Sequence, residues 1–171
     1  MIVIGITGQA GSGKTTFANL LIDLFIGSKQ LNFADRLKKI AESMGWNGKK
    51  DVKGRRLLQL LGTECGRQCV SENVWVSLWE DSRIKLEKRG IPCVVCGDVR
   101  ISNEAEHIHK IGGSIVRITG RTGLHTDFEH ESERGIPNLF CDYLVDNTGT
   151  MDELVKYAIN ISINIKEKHR A

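Results

Sequence analysis

Ile4-Gly5-Ile6-Thr7-Gly8-Gln9-Ala10-Gly11-Ser12-Gly13-Lys14-Thr15-Thr16 is an apolar strand that runs straight into a G-x-x-x-x-G-K-T loop and then into a helix. That order is what a phosphate cradle requires. The glycines let the backbone curl so that successive N–H groups point inward at an anion, and the following helix presents its positive N-terminal end. Lys14 can then reach the β- and γ-phosphates of a nucleotide, and the Thr15 hydroxyl can ligate Mg²⁺. Gly8, Gln9, Ala10, Gly11, Ser12, Gly13, Lys14, Thr15 and Thr16 are the expected contacts, and a nucleoside triphosphate is the expected ligand.

Working outward, Ile2–Thr7 is a continuous apolar run of the kind buried on both faces of a parallel sheet. Leu31–Phe33, Cys93–Cys96, Ser114–Thr119 and Tyr143–Val145 are the other expected strands. Between them, apolar residues at helical spacing predict helices over Gly13–Phe25, Asp35–Met44, Lys53–Gln68, Asn73–Lys88, from Ser102 to Gly112, and Met151–Ile165. Alternating strands and helices predict an α/β protein, a three-layer α/β/α P-loop NTPase fold with a parallel sheet and right-handed crossovers. Ligands of such sheets sit at the carboxyl ends of the strands. That rule singles out the Gly8 loop, Asp98 and Arg100 after the Cys93 strand, and Asp146-Asn147 after the last.

The chain has 171 residues, 40% of them hydrophobic, enough for one substantial core and one domain spanning 1–171. A net charge of +3 with basic and acidic residues interspersed favours a small anionic substrate over a nucleic-acid surface. The apolar start Met1–Ile6 has no basic leader and is too short for a signal or a membrane span, so the expected location is a cytoplasm, the host's if the gene is viral. Five cysteines, an odd number, argue against a disulfide framework. Cys93 and Cys96 should point to opposite faces of their strand, which suits a shared metal poorly, and reduced thiols are expected.

A second group of charged residues is placed to hold a second anion. Phe33-Ala34-Asp35-Arg36-Leu37-Lys38 puts a carboxylate and two cations at the start of a helix. Gln59, Thr63 and Arg67 are four residues apart and share one helical face if the helix stays regular. Asp98-Val99-Arg100 adds another opposed pair, and a carboxylate at the end of a buried strand beside such a loop commonly holds Mg²⁺ through its water shell. The bland alternatives are that Asp35 only caps its helix, that Arg67 is a solvated cation and that Trp75 is core.

At these residues the sequence resembles the phage-type deoxynucleoside monophosphate kinases, a branch of the P-loop nucleotide kinases. The resemblance rests on the P-loop, Phe33-Ala34-Asp35-x-Leu37-Lys38, Leu58-Gln59-x-x-Gly62-Thr63-Glu64-x-x-Arg67 followed by Trp75, Asp98-Val99-Arg100-x-x-Asn103-Glu104-Ala105, and His130-Glu131-Ser132-Glu133. It departs from the family pattern at Ile101, where an aromatic is usual, and in a short 120–139 region with few arginines. The resemblance implies transfer of the ATP γ-phosphoryl to a deoxynucleoside 5′-monophosphate, with ATP and Mg²⁺ as cofactors, an acceptor-binding helical region over about 33–90 and a short lid over about 120–140. It implies no nucleic-acid or membrane partner and admits a homodimer. By the same resemblance Thr15 and Asp98 serve the metal and Arg67 and Arg100 clamp the acceptor phosphate. Asp35 lies near the attacking phosphate and helps orient it, Asp35, Lys38, Gln59, Thr63 and Glu104 line the acceptor, and Trp75 walls its base. Arg121 is the lid arginine, with Arg117 and Arg134 as weaker candidates, and Asn147-Thr148-Gly149 lines the adenine. The rival readings are another small-molecule P-loop kinase, of the dephospho-coenzyme A or shikimate type, and a non-catalytic nucleotide-binding module.

Overall fold

Strand β1 (Ile2–Thr7) is the middle of a five-stranded, all-parallel sheet, and its apolar residues Val3, Ile4 and Ile6 are buried from both sides. The computed structural model describes residues 1–120 and 140–170. The chain leaves β1 through the glycine loop into α1 (Lys14–Leu24) and reaches the edge strand β2 (Lys29–Gln30). Helices α2 (Ala34–Ser43), α3 (Val52–Gln59) and α4 (Val74–Lys88) then form a helical region before β3 (Cys93–Cys96). Helix α5 (Ser102–Lys110), β4 (Ser114–Thr119), β5 (Tyr143–Asp146) and α6 (Met151–Lys168) complete the chain. The strand order is β2-β3-β1-β4-β5, with Ile4 opposite Val95 on one side and Ser114 on the other.

The two faces of the sheet carry separate cores, which is why its central strands read as unbroken apolar runs. Cys93, Val95, Ile4 and Ile6 pack with Phe17 and Leu21 of α1 and Ala158, Ile161 and Ile165 of α6. Val94, Cys96 and Val3 pack on the opposite face with Phe33, Trp79, Ala105 and Ile108. Cys93 and Cys96 thus lie on opposite faces, as the alternation of a strand requires, and burial raises the Cys93 thiol to about 12. All five cysteines are free.

Two expectations are corrected. The second strand is Lys29–Gln30 and not Leu31–Phe33. Leu31 still donates its N–H to Val95 O, but its carbonyl accepts from Trp79 Nε1 at 2.9 Å, and Phe33 leaves the sheet to stack on Trp79 at 4.9 Å. The helix expected over Lys53–Gln68 is α-helical only to Gln59; Leu60–Val70 is π-helical. The cause is tertiary. Gly62 and Gly66 are buried, the Trp75 ring lies against Gly66 so closely that a Cβ there would stand 2.6 Å from it, and Trp75 Nε1 donates to Gly62 O at 2.8 Å. Segments of this kind recur at functional sites because the wider turn re-aims side chains.

Candidate active site

The glycine loop is curled as its sequence demands. Gly8, Gly11 and Gly13 all have positive φ, at 148°, 79° and 98°. Gly8 has no room for a side chain, because a Cβ would collide with the Ile118 carbonyl of β4; at Gly13 it would collide with the Asn147 side chain. Gly13 is also the left-handed residue from which α1 starts, so the helix opens on bare backbone N–H groups. Lys14 Nζ donates to Gly8 O at 2.7 Å and Gln9 O at 2.6 Å, which lays the ammonium along the loop. Ser12 Oγ is buried with no hydrogen-bond partner, a polar atom left over by the fold itself. Curled N–H groups, a helix N-terminus and a positioned ammonium together fit the phosphates of a nucleotide. Asn147 is buried beneath this loop: its Nδ2 donates to Ser12 O at 2.9 Å and its N–H to Thr119 O at 2.9 Å.

Beside the loop opens a cavity of about 530 Å³, within the range of small-molecule sites, about 300–1,000 Å³. It begins at Ala10 of the loop and runs along α2, α3, the π-helical segment and the ends of β3 and α5. Lys38, Gln59, Thr63, Arg67, Trp75, Asp98, Arg100 and Glu104, named from sequence, all line it, so four separated stretches of chain converge on one space. Asp35 is not among the lining residues; its carboxylate accepts the Asn32 N–H at 2.8 Å and stands 3.8 Å from the Lys38 ammonium. Phe33 caps α2, so Asp35 is a first-turn residue and not the cap. Lys50, Arg55 and Arg56 also line the cavity and were not singled out from sequence, where Lys50 falls in the Gly/Lys/Asn connection Gly45–Asp51 and Arg55 and Arg56 are charged positions of the helix expected over Lys53–Gln68. Arg121, Arg134 and His130–Glu133, with the expected lid, lie outside the described residues.

Asp98 reaches across to the helical region. Its oxygens accept the N–H groups of Phe33 at 2.9 Å and Ala34 at 3.0 Å, closing the first turn of α2 from 65 and 64 residues away. This ties the end of β3 to the helix that carries Lys38. Glu104, 3% exposed, does a similar task on the other side. Its Oε1 accepts from Arg67 Nη2 at 3.0 Å, and its Oε2 accepts the Arg100 N–H at 2.8 Å. Arg67 Nη1 donates to Gly62 O at 3.1 Å, the carbonyl that also holds Trp75, and Arg67 Nε is buried without a partner. One buried carboxylate therefore fixes the guanidinium of Arg67 and the backbone of Arg100. Burial, and next the nearby charge of Asp98, push the Glu104 carboxyl up to about 7, against the opposing pull of its hydrogen bonds and Arg67.

The family model described as deoxynucleotide monophosphate kinase matches residues 27–158. A protein of Acanthamoeba polyphaga mimivirus, provisionally named a deoxynucleotide monophosphate kinase, is 30% identical over 98% of this chain and 99% of its own length. The deoxynucleoside-5′-monophosphate kinase of Escherichia phage T5 is 34% identical over 50% of this chain but only 36% of its own length. Among solved structures, shikimate kinase from Bacteroides thetaiotaomicron superposes with a TM-score of 0.55 at 12% identity, covering 96% of this chain and 98% of that one, which is a likeness of fold. No helix among the described residues is long and apolar enough to cross a membrane.

Proposed function

The chain belongs to the deoxynucleotide monophosphate kinase family, and from that premise we propose that it transfers the γ-phosphoryl group of ATP to a deoxynucleoside 5′-monophosphate, giving the diphosphate and ADP. The observation that carries this reading is the cationic cavity of about 530 Å³ that opens directly beside Ala10 of the glycine loop. A donor seat and an acceptor seat thereby share a wall.

Phosphoryl transfer needs little covalent chemistry from the protein, which must hold the two phosphates in line and neutralise charge. The loop N–H groups and Lys14 hold the donor phosphates. The acceptor phosphate is already an anion at neutral pH, so its oxygen attacks without a strong general base. Lys38, Arg67 and Arg100 face it, Arg being suited to bidentate contacts with phosphate. Asp35 and Glu104 act as positioning residues: Asp35 steadies Lys38 and the Asn32 backbone, and Glu104 steadies Arg67 and Arg100. Gln59 and Thr63 offer polar contacts and Trp75 an apolar wall for the sugar and base. Thr15 and Asp98 are the residues that would hold Mg²⁺, directly and through water, and the ion would there offset the charge of the donor phosphates. Asn147 supports the loop, leaving Thr148 and Gly149 to face the donor base, and Arg121 is assigned to the transferring group. The helical region 33–90 is assigned to the acceptor and 120–140 to a lid, within a single domain.

Purified protein given ATP, Mg²⁺ and each deoxynucleoside and ribonucleoside monophosphate in turn tests this. Acceptor-dependent ADP formation with at least one deoxynucleotide is expected. Nucleotide binding with no acceptor-dependent turnover across the panel rejects the kinase reading.

A further inference from the structure

Six cations line the acceptor cavity, more than one phosphate monoester needs: Lys38, Lys50, Arg55, Arg56, Arg67 and Arg100. Ion pairs with a carboxylate are seen among the described residues for Lys38, Arg56 and Arg67. Arg67 is held by Glu104 at 3.0 Å, Arg56 lies 3.7 Å from Glu64, and Lys38 lies 3.8 Å from Asp35. Among the described residues Lys50 has no such ion pair. The charged groups acting on it among the described residues are Lys38 of α2, Arg100 after β3, and Arg55 of α3, opposed by Asp98. Asp98 already has its two oxygens on the Phe33 and Ala34 N–H groups.

Lys50 is also not carried on a slack loop. Trp46 Nε1 donates to Lys49 O at 2.9 Å, Lys49 N–H to Asn47 Oδ1 at 3.0 Å, and Arg55 Nε to Lys50 O at 2.9 Å. Asp51 then caps α3 through Gly54 N–H at 2.8 Å, and Gly54 fits only because it has no side chain to strike Lys49 O and the Trp46 ring. Four side chains thus fix the backbone on both sides of an ammonium that enters the cavity.

We propose, on the reading above that this cavity receives the acceptor, that Lys50 is a substrate-contacting residue whose ammonium binds the acceptor 5′-phosphate together with Lys38, Arg55 and Arg100. The braced Trp46–Asp51 turn presents it, and Arg67, held by Glu104 at 3.0 Å, keeps its place on the same phosphate. Partial burial of the ammonium comes first, and the like charges of Lys38, Arg100 and Arg55 follow, in lowering its pKa from 10.5. A phosphate dianion among the four reverses that balance. Acceptor binding is therefore linked to Lys50 holding its proton, and the empty protein carries a repulsion that only the ligand relieves.

The test uses the full chain with Lys50→Met and Lys50→Arg. Loss of a charged hydrogen bond should raise the acceptor KM of Lys50→Met about 30-fold while the ATP KM stays within about twofold. Lys50→Arg should recover most of that loss. The rise of acceptor KM at alkaline pH, with a midpoint below 10.5 in the natural sequence, should move to higher pH with arginine, whose charge persists to about pH 12 or beyond. Without nucleotide, Lys50→Met should melt no lower than the natural protein, and millimolar inorganic phosphate, which the glycine loop can also hold, should raise the melting temperature of the natural protein clearly more than that of Lys50→Met. An acceptor KM within twofold of the natural value, equal phosphate stabilisation of both proteins, or a lower melting point for empty Lys50→Met each overturns the proposal. The phosphate arm reads Lys50 even if no deoxynucleotide is turned over, so the two readings fail separately.

Discussion

The donor side of the site is one unbroken run, Gly8–Thr16, whereas the acceptor side is drawn from stretches around Lys38, Lys50–Arg67, Trp75 and Asp98–Glu104 that meet only in the folded chain. The donor loop takes its shape from backbone conformation: three positive-φ glycines and the start of α1. The acceptor cavity takes its shape from two carboxylates that bind backbone and guanidinium groups across the chain, Asp98 on α2 and Glu104 on Arg67 and Arg100. A contiguous motif supplies its own geometry. An assembled cavity borrows it from tertiary contacts, so its function and its stability should be harder to separate.

Lys14→Met is the strongest way to test the first half of that contrast. Removing the one ammonium laid along the loop should lower kcat by about 10²–10³, the usual cost of one positioned donor to developing charge. Melting temperature and direct acceptor binding should change little, since the Lys14 ammonium donates to carbonyls of its own loop, Gly8 O and Gln9 O. A fall in stability comparable with the fall in rate would show that the donor loop, too, depends on distant contacts.

Arg67→Met tests the second half. It leaves Glu104, 3% exposed, without its cation. Breaking one partner of a buried pair costs about 3 kcal/mol. The sign with pH follows from Glu104, whose carboxyl is raised from 4.5 to about 7. The folded state binds its proton more tightly than the unfolded chain does. The associated stability is therefore complete below about 4.5 and lost as pH rises through about 7. Removing Arg67 raises that carboxyl further and steepens the fall. Urea melts should show the variant's deficit small at pH 5 and large at pH 8; an equal deficit at both would assign the loss to packing and not to the orphaned carboxylate.

The same contrast explains what could be seen in the sequence. The strand–loop–helix run and the buried strands were legible because each is local and strongly patterned. Asp98 and Arg100 were legible one step later, because strand order sends ligands to the carboxyl ends. The π-helical segment was not: Leu57, Leu58, Leu61 and Cys65 fit an ordinary helix, and the widening comes from Trp75 seating on Gly62 and Gly66. Strand β2 was misplaced because two exposed polar residues, Lys29 and Gln30, pair at the edge while the apolar Leu31 and Phe33 serve Trp79. Lys50 was missed because its turn is polar and its bracing by Trp46 is a contact, not a pattern, and Arg55 because a charged position on a helix reads as a solvated one. Nor does any spacing announce that Glu104, 37 residues after Arg67, is its partner.

Asn147→Ala probes a place where the donor loop leans on a distant residue. Its amide donates to Ser12 O, 135 residues away in the chain, and its side chain fills the space that Gly13 leaves open. A single buried hydrogen bond contributes about 1 kcal/mol, so the variant should raise the ATP KM roughly five- to tenfold and leave the acceptor KM unchanged. The effect should be far smaller than that of Lys14→Met, because the loop glycines set the curl and Asn147 only supports it from beneath. If instead the ATP KM rose a hundredfold or more, the donor loop would owe its shape to β5 as much as to its own sequence. The division between a self-shaped donor seat and an assembled acceptor seat would then be one of degree.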